Sequence, residues 1–141
     1  MVEEYASIIK NNVWEVVPRP EGKSVVTSKW LYKIKHAVDG IIEKFKVRFV
    51  ARGFSQIEGV DYDETFAPVA MYTSIWSLIY IAAEMGWQIH QMDVKTTFLN
   101  GLIEEEVYAE QPQGFEVLGQ ETHVCKLRRE LYELKQALRA W

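Results

Sequence analysis

The chain has 141 residues, 48% of them hydrophobic and 13% aromatic, and a formal net charge of −4. That is apolar material for the core of one ordinary domain rather than two, and the acidic balance leaves any nucleic-acid partner to a local basic face instead of the field of the whole molecule. The single cysteine, Cys125, has no internal disulfide partner or zinc-spaced neighbours, no apolar run approaches the roughly 20 residues of a membrane helix, and the opening MVEEYASIIK is acidic where a signal peptide is basic; a soluble protein of the cytoplasm or nucleus, with no membrane partner, is expected.

From Lys29 to Val50 the sequence KWLYKIKHAVDGIIEKFKVRFV sets Asp39-Gly40 between two alternating runs, which is a strong hairpin signal. Counting outward from that turn pairs Ile34 with Phe45, Tyr32 with Val47 and Trp30 with Phe49 on one face, expected to be core. The other face pairs Lys35 with Lys44 and Lys33 with Lys46, sets Arg48 opposite Leu31, and carries Arg52 further along. Like charges across a ladder repel, so these side chains either splay into water or share an anion such as a polyphosphate. Gly53 ends the strand, and Ser55 to Val69 (SQIEGVDYDETFAPV) reads as a polar loop.

Next, Thr73 can cap a helix through SIWSLIYIAAEM, with Ile75, Leu78, Ile79 and Ala82 on one stripe set against a sheet and Gly86 as its stop. The run WQIHQMDV then alternates, so Trp87, Ile89, Gln91 and Asp93 share one face of a predicted strand and Asp93 sits at its carboxyl end. Two readings of Asp93 stand together: a reactive carboxylate exposed at a strand end, or a cap accepting backbone N–H bonds from the short helical turn VKTTFLNG. A lone histidine on that strand, His90, reads as a structural residue.

Further on, Glu104, Glu105 and Glu106 point in different directions and read as a solvated loop before a short strand at Val107, Tyr108 and Ala109; Gln111 to Gly114 makes a turn. In CKLRRELYELKQALRAW, Leu127, Leu131, Leu134, Leu138 and Trp141 recur every three or four residues, which predicts an amphipathic helix with its basic residues off the leucine stripe.

Three long ordered motifs, KFKVRFVARGFSQIEGVDYDETFAPVA, GWQIHQMDVKTTFLNGLIEEEVYAEQPQGF and LYELKQALRAW, closely resemble the reverse transcriptase domain of copia-type long-terminal-repeat retrotransposon Pol polyproteins, from about Trp14 to Trp141. The resemblance implies an α+β, partial right-hand polymerase fold, with fingers-like residues at about 14–70 and an incomplete palm at about 71–141. It implies that Asp93 is the first catalytic aspartate, holding magnesium together with the backbone carbonyl of Val94, because hard divalent ions favour such oxygens and template phosphoryl transfer. Lys46 and Arg52 match the spacing of the basic pair that reaches the nucleotide phosphates, Arg48 lies between them on the same face as a further nucleotide-binding candidate, and Phe98 stands at the aromatic gate that crowds a ribose 2′-hydroxyl, with a plain core aromatic as its other reading. The implied partners are an RNA or DNA primer–template, deoxynucleotides and the remainder of Pol.

The family's second pair of acids, in a Tyr-x-Asp-Asp hairpin, has no counterpart here, since no aspartate follows Asp93. The chain alone is therefore expected to be inactive, the alternative being a non-enzymatic remnant that binds nucleic acid weakly or has no role. Three positions depart from the family pattern: Trp76 for Arg, Glu133 for Gly and Leu138 for Pro. Losing the glycine and proline makes one continuous terminal helix an expectation.

Overall fold

A computed structural model describes residues 1–66, 69–94 and 96–140. Helix α1 (Val2–Lys10) carries Glu3 and Glu4 in its first turn and Lys10 in its last, the charge order that suits a helix dipole. It buries Ile8. The strands are β1 (Trp14–Val17), β2 (Val25–Val26), β3 (Ser28–His36), β4 (Ile42–Ala51), β5 (Tyr108–Glu110) and β6 (Val124–Leu127), and helix α2 (Tyr72–Glu84) lies between β4 and β5. Within this α+β chain one sheet has the order β1-β6-β5-β2, with β2 parallel to β5 and the other pairs antiparallel; β3 and β4 form a separate two-stranded arm.

The arm has the expected register: Trp30 faces Phe49, Tyr32 faces Val47, Lys33 faces Lys46, Ile34 faces Phe45 and Lys35 faces Lys44. Gly40 takes φ 81° in the turn, and the Asp39 carboxylate accepts the Ile41 amide at 3.1 Å, an Asx turn in mechanism. Its apolar face is core only at the root. Phe49 is 1% exposed, whereas Tyr32 is 61% and Phe45 68% exposed, so the outer half of the arm stands clear of the sheet. At the root Phe49 meets Trp14 at 5.7 Å and Trp30 at 5.0 Å between ring centres, and Ile8, Val13, Leu99, Leu127 and Leu131 complete the core around it.

Three expected elements take other forms. Helix α2 begins at Tyr72, with Met71 rather than Thr73 at its cap position, and Gly86 ends it at φ 64° while the Trp87 amide reaches the Ala82 carbonyl at 2.8 Å. It does not lie against a sheet: of its side chains only Ala82 is buried, and Trp76, Leu78 and Tyr80 are each about two-thirds exposed. The run from Trp87 to Val94 forms no strand, because its alternation has no neighbouring strand to complete a ladder.

The C-terminal leucines do not form a helix. Val124–Leu127 is instead drawn into the sheet as β6, between β1 and β5, and further on the Ala51 amide donates to the Tyr132 carbonyl at 3.0 Å. Leu127, Leu131 and Leu134 are buried all the same, by a chain that doubles back; Leu138 is 60% exposed, and Trp141 lies outside the described residues. Glu133 adopts φ 70°, the left-handed conformation that a glycine there would take without strain. Glu133 therefore holds a backbone conformation that favours glycine.

The Glu104–Glu106 run is less uniform than a solvated loop. Glu106 bonds Lys23 at 2.8 Å, the Tyr108 hydroxyl at 2.8 Å and Lys126 at 3.4 Å, and those bonds hold its carboxyl down at about 2. Cys125 is buried, which pushes its thiol up to about 12; it is an inert core residue.

Candidate functional site

One cavity of about 820 Å³ gathers side chains from four separate parts of the chain. The arm supplies Lys35, Lys44, Lys46 and Arg48; the segment after α2 supplies Asp93, Val94, Thr96, Thr97 and Phe98; the C-terminal segment supplies Tyr132 and Leu138; and α1 supplies Glu4. Of the residues singled out in the sequence, Lys46, Arg48, Asp93, Val94 and Phe98 are thus brought together. Arg52 is not among them. It is exposed beside the turn Gly53–Ser55, where its amide donates to the Thr27 carbonyl at 2.8 Å.

Asp93 does not cap the following turn. The 3-10 turn spans Thr97–Asn100, and Thr96, at φ 55°, occupies its cap position without a side-chain cap bond. The Asp93 carboxylate is exposed and faces the arm's cations, close enough to Lys46 to favour that ammonium's charged form. Beside it, the Val94 carbonyl accepts the Thr97 hydroxyl at 2.8 Å, which uses one of its two lone pairs and leaves the other.

The electrostatics of the cavity are set by cations crowded on one face. Burial and then the neighbouring Arg48, Lys35 and Lys44 hold Lys46 below the ordinary lysine range. Against four cationic side chains stand two acids, Asp93 and Glu4. Glu4 is raised by burial, against the pull of a Phe49 backbone bond and of Arg48 and Lys46, and its Oε1 is buried without a partner. Such a surplus of positive charge on a concave wall suits an anion with several oxygens.

Tyr132 ties the two sides together. The Arg48 guanidinium lies over its ring at 5.1 Å, and Phe98 meets it edge-on at 5.3 Å and 80°, both favourable arrangements for an aromatic quadrupole. Phe98 packs against the core, as its second reading expects, and also lines the cavity. Tyr132 and Glu4 were missed in the sequence: Tyr132 sat inside an expected helix, and nothing in an acidic opening singles out Glu4.

For magnesium, the Asp93 carboxylate and the Val94 carbonyl have suitable oxygen chemistry. They fit part of an ion's shell and fall short of a two-ion set. No helix among the described residues is long and apolar enough to cross a membrane.

Residues 11–141 match the family model described as reverse transcriptase (RNA-dependent DNA polymerase). The chain is 46% identical over its whole length to the retrovirus-related Pol polyprotein from transposon TNT 1-94 of Nicotiana tabacum, covering 11% of that protein. It is 42% identical, again over its whole length, to the Pol polyprotein from transposon RE1 of Arabidopsis thaliana, covering 10% of it. An uncharacterized mitochondrial protein of Arabidopsis thaliana, AtMg00820, is 33% identical over 75% of the chain and 63% of its own length. No solved structure matches. The chain spans about a tenth of the Pol relatives it matches, and it belongs to the reverse transcriptase family as a stretch of a copia-type retrotransposon Pol polyprotein.

Proposed function

We propose that this stretch supplies the fingers, at about 14–70, and the first part of the palm, at about 71–141, of a right-hand RNA-directed DNA polymerase. The observation that carries the reading is the convergence of Lys46, Arg48, Asp93 and Phe98 on one cavity from segments far apart in the chain. Lys46 and Arg48 bind the triphosphate of an incoming deoxynucleotide, with Arg48 aimed by the Tyr132 ring. Arg52 meets nucleic-acid phosphate outside the cavity. Phe98 crowds the sugar edge and disfavours a 2′-hydroxyl. Asp93 and the Val94 carbonyl would hold magnesium, which when bound neutralises developing phosphate charge.

Asp93 is the last aspartate in the sequence, so a two-ion carboxylate set needs acids from elsewhere in Pol. The chain alone is inactive in this reading. Primer extension by the purified chain with magnesium should give no product; synthesis that disappears in Asp93→Asn would refute the claim. In an intact Pol, Asp93→Asn should abolish synthesis, and Lys46→Ala with Arg48→Ala should raise KM for deoxynucleotides.

A second reading, a decaying copy that keeps only nucleic-acid binding, is favoured by Glu133 at φ 70°. Polarization binding to a primer–template across a salt series separates the two uses of the basic face. Phosphate contacts give an affinity that falls with salt and a shallower slope in the Lys46→Ala/Arg48→Ala/Arg52→Ala variant. Salt-independent or absent binding would remove the nucleic-acid role of the isolated chain.

A further inference from the structure

Two carboxylates among the described residues, Glu130 and Glu4, have oxygens that are buried without a hydrogen-bond partner. Both Glu130 oxygens are closed off, so no ligand meets them; Glu4 is half-buried, with only its Oε1 closed off, and it lines the basic cavity. It stands in the first turn of α1, which packs against β4, and it lies ahead of the residues 11–141 that match the family model. Burying a polar oxygen without a partner costs free energy. Here that cost places a second acid, besides Asp93, on a wall dominated by the cations of the arm.

Glu4 acts on those cations through space. None of the ion pairs among the described residues includes it, and the Arg48 Nε is itself buried without a partner. Burial raises the Glu4 carboxyl, while the Phe49 backbone bond and the charges of Arg48 and Lys46 pull it back toward the ionised form. Arg48 thus keeps its place over the Tyr132 ring at 5.1 Å and shares its field with an acid that does not bind it. The energy between a fixed charge and a ligand grows in proportion to the ligand's own charge. We propose that Glu4 is a specificity-determining residue of the basic cavity: without touching the ligand, it repels polyphosphate more strongly than monophosphate and so keeps the most highly charged anions exchangeable. This inference rests on the reading of Lys46 and Arg48 as the triphosphate site.

The test is isothermal titration of the purified chain with inorganic tripolyphosphate and, separately, with inorganic phosphate, at one neutral pH and low salt. Glu4→Gln keeps the size of the side chain and an oxygen acceptor for the Phe49 amide but removes the charge. It should tighten tripolyphosphate binding about three- to tenfold and phosphate binding by a smaller factor, with the gain shrinking as salt rises. Glu4→Asp, which keeps the charge, should hold the wild-type ratio of the two affinities. Glu3→Gln, the same loss of charge one residue away on a side chain that does not line this cavity, should change either affinity less. The proposal is overturned if Glu4→Gln leaves that ratio unchanged or lowers it, or if Glu3→Gln gives an equal gain. The double variant Lys46→Ala/Arg48→Ala separates the two levels of the argument. If it loses tripolyphosphate while Glu4→Gln matches wild type, only the role of Glu4 falls; if it binds as well as wild type, or if no variant binds, the triphosphate reading falls and the role of Glu4 with it.

Discussion

Glu130→Gln should change how stability depends on pH. The wild-type carboxyl goes from an unfolded value of 4.5 to about 8 in the fold, chiefly through burial. A folded value raised above the unfolded one means the native state keeps a proton that the unfolded chain gives up. The associated stability is complete below the unfolded value and is lost as pH rises through the folded one. Integrated across that window the loss is on the order of 3–5 kcal/mol, a large share of a typical domain's total. Glutamine cannot titrate; its unpartnered amide costs roughly 1–3 kcal/mol, but at every pH alike. The informative quantity is therefore the slope and not the intercept. Urea unfolding followed by the fluorescence of the five tryptophans, at a series of pH values, should show wild-type stability falling between the two values and the variant nearly flat. Glu106, held at about 2 by Lys23, Tyr108 and Lys126, contributes stability that is lost only as pH falls from 4.5 toward 2, outside this window. Parallel wild-type and variant curves would refute the burial argument.

Glu133→Gly should stabilise the chain by about 1 kcal/mol, because the left-handed φ of 70° then costs nothing; a higher urea midpoint at unchanged slope checks it. Gly53→Ala should be strongly destabilising, since an added Cβ would run into the Glu133 carbonyl oxygen, a backbone atom that cannot step aside; loss of the cooperative transition is the readout. Phe49→Ala, at 1% exposure beneath two tryptophans, should cost about 3–5 kcal/mol in the same assay. The exposed apolar surface of α2 should make the purified chain self-associate, and Trp76→Lys with Leu78→Lys should shift sedimentation toward monomer; an unchanged distribution would count against that surface.

The sequence was most legible where the signal was local. The Asp39-Gly40 turn fixes which residues face each other in the arm, and the register follows residue by residue. Burial along that arm was not legible, because alternation names a face without saying what covers it. The terminal leucines show the opposite failure: the buried set was right for Leu127, Leu131 and Leu134 while the helix was wrong, since pairing of Val124–Leu127 with β1 and β5 overrides periodicity. For the site, resemblance supplied the residues, and the fold gathered five of the six into one cavity. Tyr132 had no sequence signal, because its contact with Arg48 depends on the chain doubling back.

A thirteen-residue helix with one buried side chain has little holding it in water, since helices of that length are marginal without tertiary support. The ordering of α2 is then the task of whatever lies over it, and Asp93, nine residues past its end, inherits that dependence. The position of the Asp93 carboxylate against the basic arm is thereby coupled to the surface of α2, so that covering this helix would steady a charge pair some distance from the covered face.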